Sequence, residues 1–295
     1  MGISANNVDM DSRALKVVEE LFESQIENGI HPGASVAAYR YGNLVLDLYG
    51  GISDKASGKP VTRDTIFVMY SCGKALAATC MHILWERGKF NLEDLVTKYW
   101  PEFGKNGKGL VSILHILTHR GGFPTTPASL PADEWSNWDA VVAAMENAEL
   151  EYAPGQVLAY HPINYGWVIA ELVQRIDGRP FSKFFQEELA APLGMKDTYM
   201  GLPADLEDRV SKVHSMEDAT NGARGRLANI QDIVEIFNRP DIHQATIPAA
   251  GGIGTARDLA RYYSMIVNGG TLDNVQILKA DTVEKVTKLQ VRDID

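Results

Sequence analysis

The stretch from Phe67 to Ala78 constrains this chain more than any other. An apolar run, Phe67-Val68-Met69-Tyr70, meets Ser71, and a helix-forming segment begins at that serine. Ser71 and Lys74 are three positions apart, so on a helix they lie on the same face. A serine hydroxyl becomes a nucleophile when a neighbouring base takes its proton, and a lysine whose pKa is lowered by burial can serve as that base.

The position of Ser71 at a helix N-terminus adds a second feature. Unpaired backbone N–H groups at that end of a helix suit a site where negative charge develops. The alternative is that Ser71 merely caps the helix and that Lys74 is solvated, because S-x-x-K alone occurs often by chance. The stretch is therefore a hypothesis that depends on the rest of the chain.

Length and charge exclude several classes of function. The chain has 295 residues, 45% of them hydrophobic, which suits one large domain or two interleaved ones. Its net charge of −10 argues against a nucleic acid or an anionic membrane as partner. The first residues lack the basic and apolar regions of a secretory signal, and no apolar run reaches the ~18 residues of a membrane span. A cytoplasmic location is expected.

The cysteine and histidine spacing indicates neither a disulfide nor a metal site. Cys72 and Cys80 on one helix would be separated by roughly 12 Å, beyond the reach of a disulfide, so free thiols are expected. The seven histidines lack the spacing of a zinc motif. No metal and no cofactor is predicted.

The periodicity of apolar residues predicts a mostly helical chain with one β-hairpin. Helices are predicted over 11–28, from 71 to about 87, over 92–101, 112–119, 139–147, 165–176, 181–189, from 256 to about 267, and over 281–289. The hairpin strands are 34–39 and 44–49. Residues 104–109 are interpreted as a surface turn, and 203–247 as polar and irregular.

The order of four landmarks resembles that of the serine β-lactamase-like superfamily, from about residue 12 onward. This superfamily includes class C β-lactamases, D-alanyl-D-alanine peptidases and family VIII carboxylesterases. The landmarks are Ser71-x-x-Lys74, the 114–119 helix with Gly121-Gly122, Tyr160 before its helix, and the glycine-rich segment 251–260.

The resemblance implies a fold and a set of roles. The fold is α+β, an antiparallel sheet flanked by helices with a mostly helical subdomain. Residues 1–295 would form one catalytic domain, with an α/β part from 1–74 and about 245–295 and a helical part over about 75–245. Ser71 would be the nucleophile, Lys74 and Tyr160 the acid–base pair, and the Ser71 backbone N–H one oxyanion donor. A lysine ammonium beside a phenol favours the phenolate, so either member of the pair could take the serine proton.

Details of the motifs favour the carboxylesterase branch. Tyr160-His161-Pro162 departs from the Tyr-x-Asn of class C β-lactamases, and the proline nitrogen offers no donor. A serine hydrolase of small or short-acyl carboxylic esters is therefore the leading hypothesis. The alternatives are a β-lactamase or D-amino-acid peptidase, and a catalytically silent binding protein.

The candidates for lining the substrate pocket are Gly121, Gly122, Phe123, His161 and Asn164. His119 and His161 are interpreted as structural or pocket-lining, because Lys74 already supplies a base.

One landmark of the superfamily has no counterpart up to Asp295. Relatives carry Lys-Thr-Gly or His-x-Gly on a later strand, which supplies the second oxyanion donor. The resemblance therefore predicts a truncated or split chain that lacks C-terminal strands, and a second chain or oligomer partner that completes the sheet. Loss of one oxyanion donor typically costs ~10²–10³ in rate, so low activity is expected without a replacement.

Overall fold

The protein is described by a computed structural model that covers residues 10–215 and 230–292. Its helices are α1 (Ser12–Glu27), α2 (Cys72–Glu86), α3 (Ile113–Leu117), α4 (Trp138–Asn147), α5 (Asn164–Asp177), α6 (Phe181–Phe185), α7 (Ile230–Ile236), α8 (Pro240–Gln244), α9 (Ala256–Val267) and α10 (Ala280–Thr287). Its strands are β1 (Gly33–Arg40), β2 (Asn43–Asp54), β3 (Lys59–Pro60), β4 (Phe67–Val68), β5 (Ile253–Gly254), β6 (Thr271–Leu272) and β7 (Val275–Gln276). The fold is α+β, as expected.

The predicted hairpin forms the largest sheet. β1 and β2 are antiparallel, and Arg40 faces Asn43 across a two-residue turn. Tyr41 and Gly42 have φ angles of 48° and 78°. Positive φ at both central positions is the geometry that matches the twist of paired strands. β3 adds to the other edge of β2, and α1 packs on the sheet face.

A second, very short pair of strands determines where the nucleophile lies. β4 runs antiparallel to β5, with Phe67 opposite Gly254 and Val68 opposite Ile253. The Met69 N–H then donates to the Gly252 carbonyl at 2.8 Å. This pairing joins the residues before Ser71 to the glycine-rich segment almost two hundred positions later in the chain.

Helix α2 is the central element of the core. It buries apolar side chains on most of its circumference, and it packs against α5. A helix that is apolar nearly all round is stable only inside a protein. Each buried leucine or isoleucine contributes about 1.5–3 kcal/mol by removal from water. The fully buried side chains at the centre of this core include Leu76, Met81, Leu84, Trp167, Val168 and Leu172.

The structure corrects the helix predicted over 92–101. The segment forms two 3-10 turns, Val96–Lys98 and Pro101–Gly104. The Asp94 carboxylate accepts hydrogen bonds from the Asn91 N–H, the Lys98 ammonium and the Tyr99 hydroxyl. A side chain that bonds its own neighbourhood in this way competes with the helical ladder.

Burial extends into the predicted surface turn over 104–109 and into the segment 203–247, interpreted from the sequence as polar and irregular. Lys108, within the predicted surface turn, is fully buried, and its ammonium donates to the carbonyls of Lys105, Glu146 and Ala148. In the segment 203–247, helix α8 buries Ile242 and His243. Residues 216–229 of that segment lie outside the described residues.

The remaining expectations concern the cysteines and the domain. Cys72 and Cys80 are free thiols, Cys72 exposed and Cys80 buried. In the two described ranges, no helix is both long enough and apolar enough to cross a bilayer. The division into an α/β part and a helical part stays a prediction.

Candidate functional site

Ser71 sits on a strained corner between β4 and α2. Tyr70, directly before it, has a φ of 46°, an unfavourable value for a bulky residue, and Ser71 itself is the N-cap of α2. Backbone strain of this kind costs about 1–3 kcal/mol and persists only when the surroundings enforce it. The Ser71 side chain makes no capping hydrogen bond and is exposed. The capping alternative raised by the sequence therefore does not account for this serine.

The three residues predicted to be catalytic lie together. Ser71 Oγ is 2.6 Å from Tyr160 Oη and 3.2 Å from Lys74 Nζ. Lys74 Nζ lies 4.7 Å from the centroid of the Tyr160 ring. Both distances to Oγ are those of hydrogen bonds, so a proton can leave Ser71 without a large movement of either neighbour.

Lys74 is held by two backbone carbonyls. Its Nζ donates to the Pro162 oxygen at 2.7 Å and to the Ala249 oxygen at 2.9 Å. Burial lowers the pKa of Lys74, and the neighbouring Tyr160 acts in the opposite direction. Because carbonyl oxygens can only accept, two N–H bonds point away from Ser71. A neutral amine in this position would direct its lone pair at Ser71 Oγ, which is the geometry of a base.

Two glycines allow the segment with Ala249 to reach Lys74. A Cβ added to Gly73 would lie 2.3 Å from the Pro248 oxygen, and one added to Gly166 would lie 2.4 Å from the Ala249 nitrogen. Helices α2 and α5 therefore clamp residues 248–249 through positions that admit no side chain. The sequence shows both glycines, but their function follows only from contacts with a segment far away in the chain.

Tyr160 is positioned by His119. The Ala159 N–H donates to the His119 carbonyl at 3.1 Å, and the His161 N–H donates to His119 Nδ1 at 3.2 Å. The His119 ring lies 4.9 Å from the Tyr160 ring and stacks on Tyr165 at 4.6 Å. These contacts agree with the structural interpretation of His119.

The five residues expected to line a substrate pocket are all buried. His161 Nε2 accepts the Phe123 N–H at 3.3 Å, and the Asn164 amide donates to the carbonyls of Phe123 and Thr125 at 2.8 and 2.9 Å. Their described contacts support the loop that follows Gly121 and Gly122. A contact of Gly121, Gly122, Phe123, His161 or Asn164 with substrate stays a prediction.

The Ser71 backbone is suited to an oxyanion. In the described part of the chain, its N–H has no hydrogen-bond acceptor, and it lies at the N-terminus of a helix of 15 residues. A free N–H and the positive end of the helix dipole both stabilise negative charge on a substrate oxygen.

Comparisons with known proteins find relatives over most of the chain. A family model described as Beta-lactamase matches residues 18–294. Esterase/beta-lactamase LipL of Mycobacterium tuberculosis is 32% identical over an alignment of 291 residues, and the match covers 92% of this chain and 67% of LipL.

Two solved structures have the same fold. One is a family VIII carboxylesterase, with a TM-score of 0.81 and 30% identity over 91% of this chain and 73% of that one. The other is a penicillin-binding protein homologue from Caulobacter crescentus, with a TM-score of 0.83 and 29% identity over 94% of this chain and 76% of that one. The chain thus spans about two thirds to three quarters of these relatives.

Proposed function

Because the chain belongs to the beta-lactamase family, we propose that it is a serine hydrolase that cleaves small or short-acyl carboxylic esters through an acyl-enzyme on Ser71. The observation that carries the proposal is the position of Ser71 Oγ, 2.6 Å from Tyr160 Oη and 3.2 Å from Lys74 Nζ. The described relatives include an esterase/beta-lactamase and a family VIII carboxylesterase.

The first half-reaction forms the acyl-enzyme. Ser71 Oγ attacks the ester carbonyl carbon while its proton passes to the Lys74–Tyr160 pair. The carbonyl oxygen becomes an oxyanion that faces the Ser71 N–H. When the intermediate collapses, the bond to the leaving alkoxide breaks, and the pair returns the proton to that oxygen. The second half-reaction repeats these steps with water, releasing the acid and free Ser71.

Lys74 and Tyr160 act as one proton acceptor. Neutral amine with neutral phenol, and ammonium with phenolate, contain the same number of protons and differ only in where one proton lies. Either form has a base next to Ser71 Oγ. Lys74 is only 8% exposed whereas Tyr160 is 40% exposed, so the pair exchanges protons with water through the phenol. General acid–base help of this kind contributes about 10²–10⁴-fold.

Pro162 supports an ester rather than a β-lactam as substrate. Its ring nitrogen has no hydrogen to donate, and its carbonyl is already used by Lys74. A substrate amide therefore finds no side-chain amide at this position with which to hydrogen-bond. A simple ester has no amide group that requires such a partner.

The proposal is tested by covalent labelling of Ser71. The chain is exposed to a fluorophosphonate or to p-nitrophenyl butyrate, and intact-mass and peptide mass spectrometry locate the adduct. We expect one adduct on Ser71 and none in Ser71→Ala. Cys72→Ala is the matched control, because Cys72 is an exposed thiol directly beside Ser71. Labelling that disappears in Cys72→Ala but survives in Ser71→Ala contradicts the proposal, as does faster turnover of a cephalosporin than of the ester.

A partner that completes the sheet is also part of this proposal. β1 pairs with β2 on one side only among the described strands, and an unpaired edge is a template for another strand. A groove of about 360 Å³ separates β1 from β4, and Ser35, Phe67 and Met69 contribute to its lining. We expect a second copy of the chain to pair at this edge. Light scattering over a range of concentrations would then show a dimer, whereas a monomer throughout contradicts this part.

A further inference from the structure

A second cavity lies beside α2, one to three turns beyond Lys74. Its volume is about 470 Å³, within the range of small-molecule sites. Ala78, His82 and Trp85 form the α2 side of the cavity, and Leu114 and Leu117 form the α3 side. Along the helix axis, His82 is roughly 16 Å from Ser71, so the cavity is distinct from the Ser71 centre.

The walls of the cavity are mostly apolar, and two of their polar lining residues, Thr118 and Gln290, donate their side-chain hydrogens to backbone carbonyls. Two other polar places remain. His82 faces the cavity, and its imidazole has no hydrogen-bond partner among the described residues. Burial lowers the pKa of His82 to about 4, so the ring is neutral near pH 7. A neutral imidazole has one donor and one acceptor, and leaving both unpaired in an apolar wall is unfavourable. The cavity therefore offers a hydrogen-bonding position to a polar atom of a ligand.

The second polar place is formed by two positively charged lysine side chains. Lys285 and Lys288 line the cavity from α10 and the residue after it, and neither forms an ion pair with a carboxylate in the described part of the chain. Lys285 Nζ lies 6.0 Å from the centroid of the Trp85 ring, which places the charge next to the apolar wall. Two cations without counter-charges beside an apolar cavity complement an anion with an apolar body.

We propose that this cavity binds a monocarboxylate with an aliphatic or arylalkyl body, the carboxylate at Lys285 and Lys288 and the body against Trp85, Leu114 and Leu117. The ring N–H of neutral His82 can then donate to a carboxylate oxygen of the ligand, because a carboxylate only accepts. A carboxylate fits better than a neutral lipid, because only an anion offsets the positive charge of the ammonium groups. The inference stands apart from the ester hydrolysis proposed above, since it concerns binding alone.

The test is calorimetric titration of the protein with octanoate. We expect saturable binding to one site, and at least tenfold weaker binding of 1-octanol, which has the same body without the charge. The double variant Lys285→Met with Lys288→Met should weaken octanoate binding at least tenfold, and Leu117→Trp should abolish it by filling the cavity. Lys183→Met is the matched control, a lysine on α6 that does not line the cavity.

Two results would overturn the inference. One is an absence of saturable octanoate binding to the wild-type protein. The other is an affinity for octanoate that is the same in the double lysine variant as in the wild type. If Tyr160→Phe lowers that affinity, octanoate occupies the Ser71 centre instead of this cavity. Both lysines lie at the surface, so the double variant should fold even if Leu117→Trp does not. Circular dichroism verifies the fold of each variant.

Discussion

The backbone on both sides of Tyr160 is hydrogen-bonded to His119. The His119 carbonyl accepts the N–H of the residue before Tyr160, and its Nδ1 accepts the N–H of the residue after it. His119 itself has a φ of 56°, so its backbone is held in a conformation that few non-glycine residues adopt. The phenol that touches Ser71 thus depends on a residue that does not touch Ser71.

We expect His119→Ala to lower kcat at least tenfold and to change KM little. The reason is that the substituted protein loses the Nδ1 acceptor and the ring packed on Tyr160, so the phenol no longer stays within hydrogen-bond distance of Ser71 Oγ. His119→Asn should recover part of the rate, because asparagine keeps an acceptor and tolerates a positive φ. Kinetics with a p-nitrophenyl ester measure both constants. His31→Ala is the control, and equal losses in His119→Asn and His119→Ala would contradict the positioning role.

The pH dependence of Ser71 labelling should follow the Lys74–Tyr160 pair. Burial lowers the pKa of Lys74 from its ordinary value, so the pair loses its proton at a lower pH than free lysine would. The labelling rate should therefore rise with pH, reach a plateau below the ordinary lysine pKa of about 10.4, and fall at acid pH as the pair is protonated.

Lys74→Arg tests whether Lys74 takes part in accepting the Ser71 proton or contributes only a positive charge. A guanidinium keeps its positive charge at all accessible pH values, so it cannot accept the Ser71 proton. We expect the labelling rate to drop about 10²–10⁴-fold, with no plateau on raising the pH. Lys105→Arg, an exposed lysine, serves as control. If Lys74→Arg keeps the pH profile of the wild type, the role of Lys74 in accepting the Ser71 proton is contradicted.

Gly166→Ala should displace the Ala249 carbonyl, which accepts a hydrogen bond from Lys74. The added methyl would lie 2.4 Å from the Ala249 nitrogen, so either α5 or residues 248–249 must shift. Overpacking of this kind costs typically 1–3 kcal/mol, and a displaced Ala249 carbonyl no longer accepts from Lys74. Urea unfolding and the labelling rate should both decline. Gly109→Ala is the control, because its nearest neighbour would be 3.9 Å away, and a decline as large in that variant would contradict the argument.

Lys108→Met should destabilise the protein without changing the chemistry at Ser71. Three carbonyls, of Lys105, Glu146 and Ala148, would lose their buried donor. Only the bond to Ala148 is fully buried, and an unsatisfied buried polar group costs about 1–3 kcal/mol, so a loss of about 1–3 kcal/mol in the free energy of unfolding is expected. Urea denaturation measures it, with Lys105→Met as the exposed control. A loss below about 0.5 kcal/mol would show that Lys108 is dispensable.

The sequence by itself determined the local features of the protein. Ser71 and Lys74 share a helix face because the helical repeat brings positions three apart together, whatever surrounds the helix. The apolar period likewise predicted α1, α5 and α9, and Tyr41-Gly42 predicted the hairpin. The order of landmarks was enough to indicate the family and the α+β fold. The helices and the hairpin depend on hydrogen bonds and side-chain spacing within a few residues, whereas the family is indicated by resemblance.

Only the tertiary structure decided how the site is assembled. Tyr160 reaches Ser71 across 89 positions of the chain, and the Ala249 carbonyl reaches Lys74 across 175. The burial of Lys108 and the role of His119 also follow from contacts between distant segments. Such contacts depend on how whole helices pack, and on glycines that admit a neighbouring backbone, and neither has a periodic signal in the sequence. The physical reason is that a helix is specified by its own residues, whereas the distance between two helices is specified by everything packed between them.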